Sequence, residues 1–133
     1  MKQTLLFTLL MLGLNVYAPE NRGLYVLRAY AVNIYEPLIR AVVMVESNGD
    51  LWALNVKEQA TGAFQIRPCR LVHFNKLTGK RYMMPDMFNY TKAREVFLYF
   101  AVWYDRDFEV IARNWNGSGS MTDDYWNRVK DKL

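Results

Sequence analysis

The chain has 133 residues, a formal net charge of +4 and an isoelectric point near 9.2. Hydrophobic residues at 52% and aromatics at 15% suffice for the core of one small domain, and the length excludes two. A single cysteine, Cys69, excludes an intramolecular disulfide, so the fold has to rest on packing. The basic residues are scattered, without the stripe or motif of a nucleic-acid binder, so nucleic acid is not an expected partner.

Met1-Lys2 and the apolar run Leu5–Leu14, followed by Val16-Tyr17-Ala18, read as a signal peptide over residues 1–18. Pro19 directly after Ala18 leaves the cleavage position open, and an uncleaved anchor is the alternative. Residues 19–133 would then be one exported domain, periplasmic or extracellular and monomeric. Asn21 to Asn33 is expected to form a first helix, with Leu24, Leu27 and Ala31 on one face.

The next helix is predicted from Glu36 to about Ser47. Pro37 suits its first turn, and Ser47-Asn48-Gly49 stops it. Ile39, Val42, Val43 and Glu46 fall at i, i+3, i+4 and i+7, so the stripe that should meet the core ends in a carboxylic acid. Partial burial and the negative end of the helix dipole both disfavour the charged form there. A carboxyl that stays protonated near neutral pH is what a general acid requires. From the helix alone, an exposed terminal Glu remains the alternative.

Between Gly49 and Pro68 the helical period is lost, and irregular chain with at most short strands is expected. Thr61-Gly62 signals a turn, and Ala63-Phe64-Gln65-Ile66 alternates like a short strand or extended edge. Gly62 would allow close backbone approach, either to the helix carrying Glu46 or to a sugar. Gln65 offers an amide suited to hydroxyl and N-acetyl groups, or to a turn hydrogen bond. Residues 68 to 75 read as a short helix, 77–80 as a turn, and Met83 to Met87 as irregular chain whose methionines fill core or, alternatively, line an adaptable groove. Cys69 with the single His73 is too little for a metal site. A buried or half-buried thiol is expected rather than a Cys–His nucleophile pair, and no cofactor is expected.

Thr91 is expected to cap a helix whose stripe is Ala93, Val96, Phe97, Phe100, Ala101 and Tyr104. Asp105 to Asp107 breaks it, and Phe108 to Trp115 forms a further short helix. In the turn-rich loop that follows, Trp115 offers a stacking face and Asn116 an amide, a combination suited to sugar. Thr122 is expected to cap the last helix, which carries Tyr125, Trp126 and Val129.

Three segments taken together, Glu46-Ser47, Gly62-Ala63-Phe64-Gln65-Ile66 and Trp115-Asn116-Gly117-Ser118, resemble the catalytic core of soluble lytic transglycosylases in the lysozyme-like superfamily. Their order matches that family over roughly residues 34 to 130. Ser118 departs from it, since glycine is usual at that place. The resemblance implies a single, mainly α, lysozyme-like domain with Glu46 in a cleft between the helical body and residues 50–68. It implies peptidoglycan glycan strands as partner, and cleavage of the MurNAc–GlcNAc bond by Glu46 as the one acid and base. Ser47, Gln65 and Asn116 would hold the sugars and the acid, and Tyr125 would lie beside it, unless it is simply core. A hydrolase needs a second carboxylate; Asp50, Glu58 and Asp86 are the candidates. A wall-binding protein without turnover is the rival outside the enzyme class. Recycling of the wall, opening it for a secretion or conjugation apparatus, and service to a phage all stay open.

Overall fold

The computed structural model describes residues 34–133, so the leader expected over 1–18 and the helix expected over Asn21 to Asn33 lie outside the described residues. Residues Glu36–Leu133 form one compact unit. Five α-helices account for most of it: α1 Glu36–Ser47, α2 Pro68–Thr78, α3 Tyr90–Tyr104, α4 Phe108–Asn116 and α5 Met121–Lys130. A two-stranded sheet, β1 Leu54–Asn55 and β2 Ala60–Thr61, lies between α1 and α2, and a 3₁₀ turn at Met84–Phe88 precedes α3. The architecture is mainly α.

Helix α1 starts and stops where its sequence says. Its buried residues are Leu38, Ile39, Ala41, Val42 and Val43. It ends where Asn48 and Gly49 turn left-handed (φ 54° and 83°), with the Asn48 N–H still bonded to the Met44 carbonyl. Glu46 is therefore held in the last helical turn, and its backbone is regular.

Strands β1 and β2 pair antiparallel, Leu54 opposite Thr61 and Asn55 opposite Ala60. The chain then folds back at once. Thr61 and Ile66 exchange both backbone hydrogen bonds at 3.0 Å, and the Gln65 N–H reaches the Gly62 carbonyl at 3.0 Å. Residues 63–65 are thus a tight turn rather than the expected extended edge. The turn drops Phe64 into the core, where its ring lies 5.3 Å from Phe97 and 5.6 Å from Tyr90. Close backbone approach at Gly62 is real, but its neighbour is the 3₁₀ turn rather than α1 or a sugar. A Cβ there would stand 2.0 Å from the Met87 carbonyl oxygen, in the 3₁₀ turn.

Several caps differ from expectation for local reasons. Helix α2 runs to Thr78, beyond the expected end at 75, because the left-handed Gly79 (φ 72°) closes it. Helix α3 is capped by Asn89, whose side chain accepts the Lys92 N–H; Thr91 lies inside the helix. Ser120 stands at the N-cap of α5, and Thr122 instead donates its hydroxyl to the Gly119 carbonyl. Asp107 caps α4 by accepting from the Glu109 and Val110 N–H groups. Of the methionines read as core filling, Met87 is buried but Met83 is 67% exposed. Cys69 is exposed, because it lies on the outer side of α2 while Leu71 and Phe74 face inward.

Aromatic contacts join the turn at Phe64, α2, α3 and α4 in the core. Phe97 of α3 touches Phe64 from the turn and Trp115 from α4, the latter edge-on at 4.9 Å. Helix α5 packs on α4 and on α1, which brings a late helix against the one that carries Glu46. Among the described residues no helix is long and apolar enough to cross a membrane.

Candidate active site

A cavity of about 290 Å³ opens beside the end of α1. Helix α1 contributes Val45 and Glu46; Asn55, Glu58, Ala60, Gln65 and Arg67 line it from the 54–67 segment. Cys69 and Arg70 of α2, the end of α4 from Trp115 to Gly117, and Arg128 of α5 complete its walls. It lies between the helices and the hairpin segment. Val45 lies beside Glu46 and lines the same wall.

Glu46 is half-buried, and the Tyr125 hydroxyl donates to its Oε1 at 2.8 Å. The two residues are separated by 79 positions, and they meet because α5 packs on α1. Tyr125 is itself buried. Burial raises the Glu46 pKa above the ordinary carboxylate value, more than the Tyr125 hydrogen bond and the charges of Arg67 and Arg128 lower it. Glu58 adds a smaller push upward. Burial first, and the neighbouring Glu46 second, push the Tyr125 hydroxyl far above the usual phenol range, so it remains a neutral donor.

The other residues singled out in the sequence take different places. Ser47 does not line the cavity. Its hydroxyl donates to the Ala63 carbonyl at 2.9 Å, with the Val43 carbonyl 3.1 Å away sharing the proton. It fastens the end of α1 to the turn. Gln65 does line the cavity, in a left-handed conformation (φ 48°), but its amide donates to the Gly62 and Ala53 carbonyls at 3.0 and 3.3 Å. That is the turn hydrogen bond, so its donors are spent on the hairpin and only its carbonyl oxygen stays uncommitted.

Trp115 is 6% exposed and has no open face to offer a pyranose ring. The Arg70 guanidinium lies over it, 4.3 Å from the ring centroid. Arg70 also donates to the Tyr104 hydroxyl at 2.9 Å and to the Asn114 and Trp115 carbonyls at 3.3 and 3.0 Å. A cation on the last carbonyls of α4 offsets the negative end of that helix and fixes the loop after it. Asn116 lines the cavity, and no hydrogen bond holds its side-chain amide among the described residues.

Of the second carboxylates, only Glu58 lines the cavity; Arg67 holds it in an ion pair at 2.9 Å. Asp50 accepts from the Trp52 N–H in a turn, and Asp86 is tied to Lys92 and to the Met83 N–H. The arginines of the cavity escaped the sequence reading, because none lies within one turn of Glu46 on its own helix. Only the fold brings them there. Among the described residues no cluster of His, Cys, Asp and Glu is built to hold a metal ion. The chain matches no family model, no curated protein and no solved structure.

Proposed function

We propose that this chain is a peptidoglycan lytic transglycosylase with a lysozyme-like domain, in which Glu46 is the only general acid and base. The observation that carries the reading is the half-buried Glu46 at the wall of a cleft, held by the Tyr125 hydroxyl at 2.8 Å. With Tyr125 donating to Oε1, the acidic proton belongs on Oε2. Glu46 would pass it to the oxygen that leaves the MurNAc anomeric carbon as the glycosidic bond breaks. The carboxylate then takes the proton of the C6 hydroxyl of the same MurNAc, while O6 bonds to the anomeric carbon. A 1,6-anhydro ring closes, no water is consumed, and Glu46 recovers its proton.

Its elevated pKa supports the first of these steps, and the return to a carboxylate stabilised by Tyr125 and Arg67 supports the second. Asn116 supplies a free amide for the sugars. Ser47 and Gln65 act by shaping the hairpin wall. The proposed place of action is the cell wall, reached by export.

One observation favours a second reading. Glu58 lines the same cavity, so hydrolysis by two carboxylates, as in a muramidase, has a candidate partner. Digestion of purified peptidoglycan, with the muropeptides weighed, separates the two. Anhydro products, lighter by one water than hydrolytic ones and absent with Glu46→Gln, are the expected result. Reducing-end MurNAc would select hydrolysis. No release by the wild-type protein would sink both.

A further inference from the structure

Three guanidinium groups line the cleft, and two of them are engaged. Arg67 is paired with Glu58 at 2.9 Å. Arg70 spends its donors on Tyr104 and the end of α4, and its face on Trp115. Arg128 differs. None of the ion pairs among the described residues includes it. It is exposed in the last turns of α5, with its guanidinium 5.5 Å from the ring centroid of Tyr125, the residue that holds Glu46. Arg128 and Val45 also line a second hollow of about 220 Å³ together with Asp131 and Lys132, so Arg128 borders both cavities.

We infer that Arg128 is a specificity-determining residue of this cleft and that it binds a carboxylate carried by the glycan strand. The inference rests on the proposed function. A planar guanidinium with uncommitted N–H groups matches a carboxylate in a two-pronged hydrogen bond. Peptidoglycan offers that group from two sources: the lactyl ether of a bare muramic residue, and the free carboxyls of a stem peptide. A neutral N-acetylglucosamine polymer offers none. The acid chemistry gives the same group a second consequence. Unpaired, Arg128 favours the charged form of Glu46 and so opposes its work as an acid. A bound carboxylate neutralises that influence. The anion that anchors the substrate therefore also helps Glu46 to keep its proton.

Binding by the full-length protein tests this separately from turnover. Calorimetry with Glu46→Gln would use soluble uncrosslinked glycan strands in four forms. These carry intact stems or have the stems removed by an amidase, each with native or carbodiimide-amidated carboxyls. Amidation should weaken binding by about tenfold to a hundredfold, the range for a hydrogen-bonded charge. Glu46→Gln/Arg128→Ala should bind native strands weaker by the same factor and respond to amidation by less than about twofold. Arg128→Lys should recover part of the loss, with melting curves confirming that each variant is folded. Sensitivity confined to intact strands assigns the stem carboxylate, sensitivity that appears only after stripping assigns the lactyl group, and sensitivity in both shows that Arg128 takes either carboxylate. Three results would overturn the inference: full amidation sensitivity in the Arg128→Ala protein, none in Glu46→Gln, or no binding of any strand. Strands that bind through Arg128 but stay uncut by the wild-type protein would instead refute the proposed reaction and leave the anion site standing.

Discussion

The two walls of the cleft are made in different ways. The helical wall pairs Glu46 with Tyr125 through the packing of α1 on α5, both regular helices with buried inner faces. The facing wall, residues 54–67, contains only four strand residues and is bent by positive φ at Gln59, Gly62 and Gln65. Its polar side chains are spent on its own shape, Gln65 on the turn carbonyls and Arg67 on Glu58, and Ser47 at the end of α1 fastens the turn to that helix. The helical wall thus leaves an acid poised for chemistry, whereas the hairpin wall uses its polar groups to keep its shape. Near a cleft, a polar side chain counts as a substrate contact only after its hydrogen bonds have been traced.

The sharpest test of the helical wall is Glu46→Gln, for which cleavage should fall by roughly 10²–10⁴, the usual contribution of a positioned acid. The same substitution should stabilise the protein in a pH-dependent manner. Glu46 has a higher pKa folded than unfolded, so the unfolded chain loses this proton first as pH rises. Stability is lost from the ordinary carboxylate value up to the folded pKa, and the loss then stays constant. Glu46→Gln lacks the effect. Its melting temperature should exceed that of the wild type at about pH 8, and the gap should close at about pH 4. An equal gap at both would show that burial of the charge is not what perturbs Glu46.

For the hairpin wall the largest expected effect is on folding. Gly62→Ala puts a methyl group 2.0 Å from the Met87 carbonyl oxygen, at a left-handed φ of 76°. Neither backbone can yield without moving the sheet off the 3₁₀ turn, so denaturant unfolding should register a loss of roughly 3–5 kcal/mol. A small loss would mean that this wall is far softer than its hydrogen bonds imply.

Tyr125→Phe tests the contact that joins α5 to the acid. Loss of a hydrogen bond to a charged group is worth about 1.5–3 kcal/mol, so kcat/KM should fall by roughly tenfold or more. The hydroxyl lowers the Glu46 pKa, and its removal leaves burial less opposed. Activity that depends on the protonated acid should therefore persist to higher pH, moving the alkaline limb of the profile upward. A downward move would mean that Tyr125 acts as an acid stabiliser in the opposite sense.

How much of this was legible in the sequence differs between the walls in the same way. Glu46 stood out because a helical stripe and a stop signal locate it without tertiary information. Tyr125 was reached only through the family resemblance, since an aromatic on an amphipathic helix reads equally as core, and here it is both buried and bonded to the acid. On the hairpin side, Gly62 was readable as a close approach, but its partner was not, because Met87 comes from a distant turn. A glutamine with φ 48° has no signature at all in composition or spacing, so Ala63 to Gln65 read as extended. Cys69 was misplaced because helical phase at a proline-led start decides which side of α2 faces out, and a single thiol carries no phase.

The smallest effect expected is the one that separates fastening from recognition. Ser47→Ala removes one hydroxyl shared between the Val43 and Ala63 carbonyls. If that hydroxyl only pins the turn to α1, stability should drop by about 1 kcal/mol and kcat/KM should scarcely change at temperatures where the protein stays folded. If it also touches the sugar, KM should rise while the melting temperature shifts by the same amount as before. Neither Ser47 nor Ala63 lines the cavity, which favours the fastening role. Glu46 keeps its helical backbone and its Tyr125 partner in either case, and an unchanged kcat is therefore the expected signature of a wall that shapes the cleft without taking part in the reaction.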